Sequence, residues 1–211
     1  GAPLLGFSQL FGYTRLFAQA DGDSPEVILN LAATAEALAC THYYTVLTDS
    51  SVPLVPAERY FLIAALDTEY QHLQFLRANG AEPLTLEFYM PRNVYNDRAN
   101  FSNITQQAET AFVAAYLAAN RRFAELGESL LAATIAQIAA TESVHLALVR
   151  QLGGLLPNHV SLGEALYFNT YEVVPVLQPF LEGGEGFTGP RSYPGDREIS
   201  TFVGTDAVVV V

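Results

Sequence analysis

The chain has 211 residues, half of them hydrophobic, only 15% charged, and a formal net charge of −12. That is a length for one domain with ample apolar material for one core. Ten arginines and no lysine against 22 acids leave little to neutralise a phosphate backbone or an anionic lipid surface, and no apolar run approaches the ~20 residues of a membrane span, so neither nucleic acid nor a transmembrane segment is expected.

Residues 1–23 are apolar and glycine-containing and read as an irregular arm. Ser24-Pro25-Glu26 is a helix start, with serine as cap, proline at the first helical position and an acid in the first turn. This helix runs to about Leu47. A turn through Asp49, Ser50, Ser51 and Pro53 leads to a second helix from near Pro56 to Asn79, closed by Gly80 as a left-handed cap. Residues 81–101 hold two prolines and no helical period. A third helix is expected from near Ser102 to about Leu126, and Gly127 breaks it. A fourth spans Glu128 to Leu152 and is capped by Gly153. Two short connections and one long one predict an all-α four-helix bundle with one long crossover. Residues 154–211 hold a shorter helix over Leu162–Leu177, a Gly/Pro-rich excursion, and a terminal strand from Thr205 to Val211. An unpaired valine strand is a liability, so this one is expected to pair, within the chain or on a second subunit. The organisation is thus an arm (1–23), a bundle (24–153) and a C-terminal region (154–211).

One pattern is written twice. Glu36 is followed 33 residues on by Glu69-x-x-His72, and Glu109 is followed 33 residues on by Glu142-x-x-His145. The copies lie 73 apart, and the same offset matches Tyr43 with Tyr116, Thr68 with Thr141, Arg77 with Arg150 and Gly80 with Gly153. Residues three apart share a helix face, so each Glu and His of a Glu-x-x-His converge on one point. Four glutamates and two histidines on four helices form the ligand set of a two-metal site. The pattern assigns Glu36 and His72 to one metal and Glu109 and His145 to the other, with Glu69 and Glu142 bridging. Four carboxylates against two divalent ions are close to neutral, whereas four ionised glutamates in a core without cations would be severely unfavourable. A lone Glu-x-x-His usually marks a solvated face. The doubled register and the apolar neighbours Ala35, Ala37, Leu38, Ala108, Ala111 and Phe112 point instead to metal.

Tyr43 and Tyr116 follow the first glutamate of each hairpin by two turns and share its face. They read either as core residues with a satisfied hydroxyl, or as hydrogen-bond donors to a metal-bound carboxylate and one-electron donors in catalysis. Cys40 is expected to be a small buried residue, and His42 and His159 fall outside the pattern as structural residues. One cysteine excludes an internal disulfide framework.

These residues resemble the ferritin-like superfamily of di-iron carboxylate proteins, which includes bacterioferritins, rubrerythrins and manganese catalases, over residues 24–153. Leu155-Leu156-Pro157-Asn158 and Gly163-Glu164-Ala165-Leu166 are similar to the exported ferritin-like group that includes plant desiccation-related proteins. The resemblance implies two iron ions, or manganese or a mixed manganese/iron pair, acting on O₂ or hydrogen peroxide in an exported stress protein; the valine-rich terminus, the apolar arm and the low charge content suit homo-oligomer contacts. A start at Gly1 without an initiator methionine fits export. Many di-iron relatives place aspartate before the Glu of Glu-x-x-His. Thr68 and Thr141 stand there instead, and threonine raises the basicity of a histidine less. A second reading is a structural or self-assembling envelope or extracellular protein that retains the bundle.

Overall fold

The computed structural model describes residues 23–157 and 165–204. Its body is four long helices: α1 (Pro25–Thr48), α2 (Pro56–Ala78), α3 (Arg98–Glu125) and α4 (Ser129–Leu152). α1 packs closely on α2 and α3 on α4, while contacts between the two hairpins are sparser. The long connection from α2 to α3 recrosses the length of the bundle, which gives the expected four-helix architecture with one crossover. The arm over 1–22, His159, the start of the helix expected from Leu162 and the valine strand over 205–211 lie outside the described residues.

Local chemistry sets the helix ends. Ser24 is extended and its Oγ accepts the Val27 N–H at 3.3 Å, with Pro25 opening α1. The Glu58 carboxylate accepts the Val55 N–H at 2.9 Å and so caps α2 from inside its first turn. Gly80, at φ +87°, closes α2 with paired bonds from its own N–H to Arg77 and from the Ala81 N–H to Leu76.

Two boundaries differ from the sequence expectation. α3 begins at Arg98, a turn before Ser102, because Asp97 supplies the cap and accepts the Asn100 N–H at 2.7 Å. The Arg98 guanidinium then bonds the Pro53 carbonyl (2.6 Å), the Leu152 carbonyl (3.0 Å) and both oxygens of Glu58. Ser102 is a packing residue whose Oγ donates to the Val149 carbonyl at 2.9 Å. At the end of α4 the left-handed glycine is Gly154 (φ +77°), not Gly153 (φ −74°). Gly153 is required for a different reason: a Cβ there would lie 2.1 Å from the Ser102 Oγ.

Outside the bundle, the expected helix over Leu162–Leu177 is displaced. Residues 165–169 are not helical. A short 3₁₀ turn (Thr170–Val173) leads into α5 (Val174–Glu182), with Pro175 in its first turn. The Gly/Pro-rich excursion and the crossover also contain structure that the sequence reading left irregular. β1 (Glu87–Pro91) pairs antiparallel with β2 (Phe187–Ser192), in the register Phe88 with Arg191 and Pro91 with Phe187. α6 (Asp196–Val203) then packs on α2, where Arg77 pairs with Asp196 at 2.9 Å. These additions cover α1, which is buried almost all round, as a helix apolar on every side requires. By length and composition alone α4 is long and apolar enough to cross a membrane; in the fold, Ile135, Ile138, Leu146 and Val149 are buried in the bundle.

Candidate metal centre

The core between the two hairpins is polar. Glu36, Glu69, Glu109, Glu142 and His145 are buried, and the His72 side chain retains 14% of its exposure. Glu36 comes from α1, Glu69 and His72 from α2, Glu109 from α3, Glu142 and His145 from α4, so every long helix contributes. The six residues fall into two groups of close donor atoms, Glu36–Glu69–His72–Glu142 and Glu69–Glu109–Glu142–His145, which share Glu69 and Glu142. His72 Nδ1 lies 3.3 Å from Glu142, 3.4 Å from Glu69 and 3.7 Å from Glu36. His145 Nδ1 lies 3.0 Å from Glu69 and 3.2 Å from Glu142.

The tyrosines cross between hairpins. The Tyr43 hydroxyl donates to Glu109 Oε1 and the Tyr116 hydroxyl to Glu36 Oε1, so each hairpin's tyrosine serves the other hairpin's glutamate. Burial raises both phenols, and the carboxylate each one faces raises it further, which keeps them protonated donors.

A second cross-hairpin contact involves Thr68. Its hydroxyl donates to the Ala65 carbonyl at 2.9 Å, within its own helix, and accepts from His145 Nε2 at 3.0 Å. That bond takes up the Nε2 proton and directs Nδ1 at Glu69 and Glu142. Thr141, its repeat partner, donates to the Gln137 carbonyl one turn back at 3.2 Å. The spacing identified both threonines, but nothing in it said that Thr68 serves the histidine of the opposite hairpin.

The electrostatics are those of a carboxylate cluster in a dry interior. Burial raises Glu36 and Glu109 well above the ordinary range, and the neighbouring carboxylates Glu69 and Glu142 add to it. Burial acts on Glu69 in the same sense, but His145 and His72 outweigh it and hold that carboxyl low. Burial alone would lower the two imidazoles; the surrounding carboxylates overcome it and raise both. Glu109 Oε2 is buried without a partner, and both Glu69 oxygens and Glu142 Oε1 are met by imidazole nitrogens at 3.0–3.4 Å. Buried carboxylate oxygens converging with so few donors to match them are what cations satisfy, and the set of four carboxylates and two imidazole nitrogens suits iron, manganese or zinc.

The remaining candidates are placed plainly. Cys40 is fully buried, and its thiol is pushed up by burial and then by Glu69 and Glu36. His42 sits away from the cluster, bonded through Nδ1 to the Tyr95 hydroxyl (3.0 Å) and through Nε2 to Thr105 (2.9 Å), and stacked on Phe101. Thr105 already donates to the Phe101 carbonyl, so His42 donates to Thr105 and accepts from Tyr95.

Fold and site together define a class: a four-helix carboxylate bundle with a paired glutamate–histidine cluster that could hold metal. The model of the ferritin-like domain family matches residues 26–155, and the chain belongs to that family. Searches of curated proteins and of solved structures find no match.

Proposed function

We propose that the chain binds two iron ions, or manganese in their place, and uses the pair in an oxidase or peroxide-removing reaction of the ferroxidase or catalase/peroxidase kind. The observation that carries this is the pair of overlapping donor groups that share Glu69 and Glu142 in the buried core. In this reading Glu36 and His72 hold one ion, Glu109 and His145 the other, and Glu69 and Glu142 lie between them. A bound metal pair supplies redox equivalents for the reduction of O₂ or hydrogen peroxide. Tyr43 and Tyr116 each hold one oxygen of Glu109 and of Glu36, respectively, which limits how those carboxylates swing and places a protonated phenol beside each group. Thr68 orients His145. Affinity alone does not choose iron over manganese or zinc.

Metal analysis of protein purified from its source tests this reading. The expected result is two ions per chain, one for each donor group. Fewer than about one ion per two chains, with no uptake on anaerobic addition of Fe²⁺, sinks it. Export, a stress role and kinship with the desiccation-related group belong to the same proposal and rest on the sequence resemblance; assembly through residues 205–211 rests on the valine run as an unpaired strand. The alternative, an assembly protein that retains the bundle, is favoured by the exposed apolar side chains of α4, Leu130 at 80% and Val144 at 54%. It predicts that a metal-free variant keeps its oligomeric state.

A further inference from the structure

An apolar cavity abuts the cluster at Glu109. It lies between α1 and α3, measures about 20 Å³, and is lined by Leu38, Ile104, Ala108 and Phe112 together with Tyr43 and Glu109. Met90 of β1 and Phe180 of α5 also line it. Both belong to the added β1–α5–β2 layer, not to the bundle.

That layer is held firmly. β1 and β2 are paired, the Thr188 hydroxyl donates to the Met90 carbonyl at 3.3 Å, and Phe180 meets Phe187 edge to face at 5.4 Å. Gly183, after α5, lies so close to Tyr89 that a Cβ there would come within 2.9 Å of the ring. Phe180 is therefore held against the cavity by structure on both sides of it in the chain.

The cavity has room for about one water-sized molecule. A water needs two to four polar partners, and of the polar side chains on these walls only Glu109 offers an uncommitted buried atom, its Oε2, which is one acceptor and too few to hold it. His42 is bonded to Tyr95 and Thr105, and Tyr43 to Glu109. A hydrated or charged species would lose its shell against aliphatic and aromatic walls without replacement.

The geometry points to this cavity as the passage by which a small neutral molecule, of the size of O₂, reaches the Glu109 edge of the cluster, with Phe180 and Met90 setting the size limit. The inference deepens the proposed function and rests on it for the meaning of the destination. The passage itself is tested without metal.

Xenon serves as an inert neutral probe of metal-free protein, read by methyl NMR. Saturable shifts are expected at Leu38, Ile104 and Ala108, and they should vanish in Ala108→Leu and in Ile104→Phe, two independent blocking variants. Benzene should leave the unmodified protein unshifted and shift the same methyls in Phe180→Ala. In metal-loaded protein the blocking variants should lower the rate of O₂ consumption about tenfold at unchanged metal content. No xenon shift, or shifts that persist in both blocking variants, overturns the passage. Exclusion of benzene by Phe180→Ala overturns the gate. Absence of bound metal with normal xenon behaviour would sink the proposed function and leave the passage standing.

Discussion

The two hairpins carry the same six-residue pattern, yet they hold their histidines differently. His145 is 5% exposed at its side chain and is fixed through Nε2 by Thr68. His72 is 14% exposed, and the threonine equivalent to Thr68 is tied into its own helix at Gln137. A sequence repeat therefore does not give two equal half-sites. The half around His145 is closed and oriented, and the half around His72 is nearer solvent and less constrained. Under the proposed reading, an ion at His72 would exchange faster than one at His145.

The largest effect should come from removing what both halves share. Glu69→Ala with Glu142→Ala should abolish metal binding altogether, read by metal analysis after gel filtration. Retention of one ion would show that the halves do not overlap as described.

The next effect comes from a position where the repeat fails: His42 has Ala115 as its counterpart. Burial holds the His42 imidazole neutral, with its pKa lowered to about 4 against an ordinary 6.5. The folded state thus binds fewer protons than the unfolded one between these values. The resulting stability is fully present above pH 6.5 and is lost as pH falls toward 4, up to about 3 kcal/mol. Denaturation of His42→Gln against unmodified protein across that range should show one proton less of pH dependence. An unchanged slope would place a charged imidazole in the core.

Smaller effects separate the halves directly. Thr68→Val should weaken the ion at His145 by about tenfold to a hundredfold, while Thr141→Val should stay within about twofold, measured by competition with a chelator. Equal effects would restore the symmetry. Last, Gly153→Ala should cost about 1–3 kcal/mol through its clash with Ser102. Gly80→Ala should cost about 1 kcal/mol through its left-handed backbone, because space is open there. Adding Ser102→Ala should recover part of the first loss and none of the second, as read by urea denaturation.

Much of this was legible in the sequence. The doubled register placed all six cluster residues on four helices, and Ser24, Pro25, Gly80 and Gly127 marked helix ends by local backbone chemistry. What escaped was tertiary. Asp97 starts α3 through a cap as ordinary as the Ser102 expected to do it, and Arg98 completes that start through groups on three other segments. β1 and β2 pair across about a hundred residues, where no short-range pattern speaks. Gly153 and Gly154 sit side by side, and only the approach of α3 tells which glycine is a turn and which a gap. Spacing showed which residues share a helix face. It did not show that Tyr43, Tyr116 and Thr68 would each act across the hairpin interface.

That crossing has a consequence for how the site comes into being. An isolated hairpin holds three of the six donors and a tyrosine with no carboxylate to meet. The cluster exists only once the hairpins dock, and docking brings four glutamates together at the moment the chain has least water to shield them. Ions that bind the docked state alone pull that equilibrium forward by mass action. Under the proposed reading, loading the centre and docking the hairpins are coupled steps.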